Sequence, residues 1–154
     1  MILLSPWMDI SMSNPDAANY ESVDPMLSAY GLIEMGKCWA GDLDNQDYKV
    51  SPIFGDMSSL HDVYLFVGTR EIFYPDVISF HEMLATQGSI TELYVGEGMN
   101  HVYPLYPIPD AEDAMDMICT IISRKWVSNI SNRSDNDLPH NLFFPAPMNY
   151  LTSF

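Results

Sequence analysis

An α/β domain built on a short parallel sheet of about three strands with flanking helices is what this sequence predicts, on three observations. Val63-Tyr64-Leu65-Phe66-Val67 is a continuous apolar run of the kind found in strands covered on both faces. Val77, Phe80 and Leu84 then recur at the helical period. Thr91-Glu92-Leu93-Tyr94-Val95 follows as another short strand, and a helical pattern returns after Asp110. Strand, helix, strand, helix in that order implies parallel strands joined by right-handed crossovers.

Taken in order, Ile2-Leu3-Leu4-Ser5 reads as a short buried strand, unusual at the start of a domain because nothing precedes it to pair with. Asp9 to Tyr20 is polar and turn-rich. Asp24-Pro25 has the character of a helix cap and first position, and Met26, Leu27, Tyr30, Ile33, Met35 and Trp39 follow at roughly helical spacing as far as Gly41. Asp42 to Tyr48 is an acidic loop whose Asp42 and Asp44 have the spacing of a calcium loop. The glycine and distal glutamate that such a loop requires are absent, so no metal site is expected. Pro75-Asp76 opens the next helix, which runs to about Gln87 and closes on Gly88. Asp110 caps the last, with Ala111, Ala114, Met115, Ile118 and Ile121 on one face.

Composition changes at Arg124. Before it the chain has 3 basic and 19 acidic residues; from there to Phe154 it has 3 and 2. The stretch is rich in Asn, Ser and Pro and has no period. The expected organisation is therefore one domain over 1–123 and an irregular or disordered tail over 124–154.

A chain of 154 residues that is 47% hydrophobic and 18% charged is long enough for one domain with a sizeable core. A net charge of −15 excludes nucleic acid and anionic membrane surfaces as partners, because both demand clustered Lys and Arg. No apolar run is long enough to span a bilayer. Met1-Ile2-Leu3-Leu4 lacks a basic flank and meets Pro6 at once, so a signal peptide is not expected and cytoplasmic is the default location. Cys38 and Cys119 sit in apolar helical stretches and read as buried thiols rather than a disulfide or a zinc site. Nothing calls for a cofactor.

Two groups of chemical interest remain. His101 lies in the loop Gly98-Met99-Asn100-His101 just after a strand, where a general base can be held in open space. Thirty positions earlier, Glu71 follows the strand Val63 to Val67 through Gly68-Thr69-Arg70. In a parallel sheet both loops emerge at one edge, which is how a carboxylate comes to orient an imidazole. His61, His81 and His140 lie in a connector, on a helix and in the tail, and read as surface residues.

Ser5-Pro6-Trp7-Met8-Asp9, Asp24-Pro25-Met26-Leu27, Ser51-Pro52-Ile53-Phe54-Gly55-Asp56, Gly68-Thr69-Arg70-Glu71-Ile72 and Met99-Asn100-His101-Val102-Tyr103 occur in an order and spacing that carry a resemblance. Over about residues 2–122 the chain resembles the carboxyl-terminal half of α/β-hydrolase esterases of the hormone-sensitive-lipase type. The resemblance implies a partial α/β-hydrolase fold and carboxylic-ester hydrolysis. It implies that the acid after the family's seventh strand falls on Glu71 and the histidine after the eighth on His101. The usual acid is aspartate; glutamate serves if its carboxylate accepts from imidazole Nδ1, and Asp76 is a rival.

The nucleophile of that family sits in a Gly-x-Ser-x-Gly elbow, a strained strand-to-helix turn. No two glycines of this chain are four apart, so the elbow is absent, and so is the glycine-rich oxyanion loop. Ser5 and Ser51, each before a proline, are expected to offer no strained turn in its place. Two readings follow. The chain is a truncated or split esterase whose serine lies in an upstream half, acting on a small-molecule ester once complemented and inactive alone. Otherwise it is a non-catalytic acidic α/β module that binds a partner. On the first reading a sheet edge is left bare and self-association is expected.

Overall fold

The structure is a computed structural model and describes residues 1–131, with side chains through Lys125. Two compact units divide the chain, Met1–Cys119 and Thr120–Phe154. The sheet and the site belong to the first.

Three strands, β1 (Ile2–Leu4), β2 (Val63–Gly68) and β3 (Thr91–Gly96), form a parallel sheet in the order β1-β2-β3. Ile2 pairs with Tyr64 and Leu4 with Phe66; Val63 pairs with Thr91 and Gly68 with Gly96. The central strand is β2, and all six of its residues are buried, as a doubly covered strand requires. Val63, Leu65 and Val67 point to one side and join a core with Leu32, Ile72, Val77, Phe80 and Leu84. On the other side Phe66 stacks on Tyr94, ring centres 4.6 Å apart. β1 is only half buried and, among the described residues, has a strand neighbour on one side alone.

Helix α1 spans Ala29–Ala40, α2 Tyr74–Thr86 and α3 Pro109–Ser131. The sequence places α2 correctly, with Val77, Phe80 and Leu84 inward, and Gly88 takes the left-handed turn that ends it. The start of α1 is different. Asp24 does cap backbone, its Oδ1 accepting from the N–H groups of Met26 and Leu27, but those bonds close a turn. The helix begins after Ser28, whose Oγ accepts from Gly31 N–H.

The buried face of α1 differs too. Leu32, Gly36 and Ala40 face inward, while Tyr30 and Trp39 are 79% and 74% exposed. The reason is close approach: a Cβ on Gly36 would lie 2.4 Å from the carbonyl oxygen of Ile10, so the helix packs through its smallest residues. Met115 is likewise exposed, whereas Ala111, Ala114 and Ile118 are buried. Cys38 and Cys119 are thiols as expected, but both are exposed rather than buried.

At the other end of the chain, α3 continues to Ser131, past the boundary expected at Ser123, so residues 124–131 are helical rather than irregular. The rest of the predicted tail, with His140, lies outside the described residues. No helix among the described residues is long and apolar enough to cross a membrane.

Candidate active site

Because the strands are parallel, their carboxyl ends share one edge, and the loops that leave them meet there. Gly68 and Gly96 end β2 and β3 side by side. Both must be small. A Cβ on Gly68 would lie 2.1 Å from the Met99 carbonyl oxygen, and one on Gly96 would lie 2.8 Å from the Tyr103 ring. The histidine loop therefore folds back directly over the end of β2. Arg70 N–H donates to Met99 O at 2.9 Å, and Gly98 N–H to Thr69 Oγ1 at 2.8 Å, tying the two loops together.

This apposition brings Glu71 and His101 into contact: Glu71 Oε2 lies 3.0 Å from His101 Nδ1. Glu71 is fully buried, not a solvated loop acid, while the His101 side chain keeps 21% of its surface exposed. The other carboxylate oxygen, Oε1, accepts from Gly68 N–H and from Ser5 Oγ, each at 2.7 Å. A buried carboxylate needs such donors, since an ionised oxygen without them is costly. A carboxylate only accepts, so Nδ1 carries the proton in this contact, and in the neutral ring Nε2 is left as an acceptor.

Aromatic packing holds the imidazole from the side. Phe73 meets the His101 ring edge-on at 5.4 Å, and Trp7 stacks on Phe73 at 5.8 Å. Asp24 Oδ2 accepts from Ile72 N–H at 2.8 Å and fixes the segment that carries Glu71.

Asp76, the rival acid, is not brought to the histidine. It sits in the first turn of α2, where its Oδ1 accepts from Asn14 Nδ2 at 2.8 Å. Burial pushes its carboxyl above the ordinary value, against the Asn14 bond, and the nearby Asp9 charge adds to the rise.

Ser51 is buried and structural: its Oγ accepts from Ile10 N–H and donates to Asn45 O. Ser5 corrects the expectation. It does occupy a strained turn, at φ +44, and its side chain belongs to the site. Together with Gly68, Asp24 and Phe73 it is a part of the site that sequence reasoning missed. Its place before Pro6 at a strand end was visible; the sign of its φ was not.

A three-stranded parallel sheet with flanking helices, carrying an acid and a histidine in contact over its carboxyl edge, places the chain in the α/β class. The chain matches the family of the alpha/beta hydrolase fold over residues 1–105 and belongs to it. It is 29% identical over 119 residues to an esterase of Acinetobacter venetianus, covering 75% of this chain and 39% of that protein. It is 25% identical over 89 residues to a triacylglycerol lipase of Mycobacterium tuberculosis, covering 58% of this chain and 16% of the other. Among solved structures it is similar to a hormone-sensitive lipase from a metagenome library, with a TM-score of 0.76 and 27% identity. That superposition covers 80% of this chain and 43% of the lipase. The chain thus spans less than half the length of each of these relatives.

Proposed function

We propose that this chain supplies the acid and the base of a serine-type carboxylic-ester hydrolase, with the nucleophilic serine provided by residues outside these 154. His101 is the general base and Glu71 orients it. The observation that carries the reading is the 3.0 Å contact between Glu71 Oε2 and His101 Nδ1, with the acid wholly buried and the imidazole partly open. The missing Gly-x-Ser-x-Gly elbow and the 39–43% coverage of the esterase and the hormone-sensitive lipase support an external serine.

In the complemented enzyme His101 Nε2 takes the proton from the serine hydroxyl as its oxygen attacks the ester carbonyl. The same nitrogen then returns that proton to the departing alcohol, and Glu71 stabilises the imidazolium between the two steps. The side of β1 that has no strand neighbour among the described residues is where an added strand would pair, and without it the isolated chain self-associates.

The test is co-expression with the segment encoded immediately upstream, followed by assay on short-chain aryl esters. The expected result is that the isolated chain shows no turnover and no labelling by a serine-directed fluorophosphonate. The pair should be active, and His101→Ala in the pair should lower kcat on the order of 10⁶-fold. A soluble, active pair indifferent to His101→Ala refutes the assignment. An upstream segment that restores order but no activity favours a non-catalytic acidic binding module.

A further inference from the structure

We propose that Ser5 is a positioning residue of this site: its hydroxyl joins Glu71 to the histidine loop and turns the carboxylate so that Oε2 meets His101. The inference rests on the acid–base reading of Glu71 and His101 and adds the residue that holds them in register.

The argument starts from hydrogen-bond direction. Val102 N–H can only donate, and it lies 2.9 Å from Ser5 Oγ. The serine hydroxyl has a single proton, so with its oxygen accepting from Val102 that proton is free to go to Glu71 Oε1 at 2.7 Å. One buried side chain thus bridges the acid and the residue next to the histidine. Gly68 N–H fills the remaining position on Oε1. With Oε1 doubly occupied, Oε2 is the oxygen left to face Nδ1.

The backbone points the same way. Ser5 and Val102 both lie in the left-handed region, at φ +44 and +52, and Val102 is β-branched, for which this conformation is strongly disfavoured. Strain of that kind persists only where surroundings enforce it, and such residues cluster at functional sites. Here the two strained residues are joined to each other by a hydrogen bond. Ser5 N–H is held in turn by Phe66 O at 2.7 Å, which fixes the turn at the end of β1. A glycine at position 5 would satisfy the backbone better than serine does. The hydroxyl is what glycine lacks.

The test uses NMR on the full chain, at denaturant-free conditions where it is folded. In the unmutated chain the His101 Nδ1 proton should appear as a resolved low-field resonance, and the Val102 amide should exchange slowly. Ser5→Gly removes the hydroxyl while relieving the φ; Ser5→Ala removes it with the strain retained. In either folded variant the Nδ1 proton signal should be lost to exchange, and Val102 amide exchange should quicken about tenfold, the loss of one hydrogen bond's net contribution. A role confined to stability would leave the Nδ1 signal in place, and its survival in a folded variant overturns the proposal. If neither variant folds, the unmutated chain decides: a protected Val102 amide supports the bridge, and one exchanging like an open loop overturns it. An Nδ1 signal absent from the unmutated chain strikes instead at the Glu71–His101 pairing. A present signal without ester turnover in the complemented pair strikes at the hydrolase reading alone.

Discussion

Gly68→Ala is the substitution that probes how the two loops are seated on each other. The added methyl would meet Met99 O at 2.1 Å and Asn100 O at 3.0 Å, both backbone atoms that cannot swing aside. To reach the 3.4 Å of an ordinary contact the Met99 carbonyl must retreat by about 1.3 Å. Met99 stands two residues before His101, whose Nδ1 contact with Glu71 is 3.0 Å; passing on half of that retreat takes the pair beyond hydrogen-bond range. The cost combines overpacking, about 1–3 kcal/mol, with loss of the Arg70–Met99 and Glu71–His101 bonds, about 0.5–1.5 kcal/mol each. The expected destabilisation is therefore about 2–6 kcal/mol, a large part of the roughly 5–15 kcal/mol typical of a domain. Urea unfolding measures it as a lowered midpoint at unchanged slope, and the His101 Nδ1 resonance should vanish in the folded protein. Gly55→Ala is the control, since its nearest contact is 3.2 Å and one of its neighbours is the flexible end of Met57. A Gly68→Ala protein with the parental midpoint and an intact Nδ1 signal would refute the apposition of the two loops.

Asp9 and Asp76 should bend the stability profile against pH in opposite senses. Burial pushes the Asp9 carboxyl up, but hydrogen bonds from the hydroxyls and N–H groups of Ser11 and Ser13 outweigh it and hold the value below 3.8; its stabilisation is present above pH 3.8 and is lost as pH falls below that. Asp76 is raised above 3.8 chiefly by burial, so it weakens the fold as pH climbs from 3.8 through its raised value. Urea midpoints should show Asp9→Asn losing most at neutral pH, with the gap closing in acid. Asp76→Asn should gain on the parent as pH rises, and three parallel profiles would contradict both assignments. Phe80→Ala, at a position 1% exposed in the core between α2 and β2, should cost about 3–5 kcal/mol in the same assay, and a loss under 1 kcal/mol would mean that the helix is not seated on the sheet.

What the sequence disclosed and what it hid divide along physical lines. Apolar runs and helical periodicity report burial, so β2, α2 and β3 were legible, and with them the edge at which Glu71 and His101 meet. Periodicity failed at α1 because large apolar residues mimic a core face. The helix instead docks through Leu32, Gly36 and Ala40, a choice set by how near Ile10 comes rather than by hydrophobicity. The cap signal at Asp24 was real but served a turn and the Glu71 segment. Ser5 was hidden because a backbone dihedral of a non-glycine residue leaves no mark in composition. The helical residues after Ser123 were hidden by a change in composition that says nothing about the backbone of the next two turns.

The Ser5–Val102 bond joins residues 97 positions apart, and Ser5–Glu71 spans 66. Links of that separation carry a loop-closure cost that local contacts do not, since the chain between them must be closed before the contact rewards it. The loops that carry the acid and the histidine leave β2 and β3, but the Ser5 bonds to Glu71 and Val102 require β1 to be docked beside β2 as well. The Glu71–His101 pair is therefore tied to the docking of β1: a species with β1 detached would keep its helices and the β2–β3 pair and still lack the Ser5 bridge.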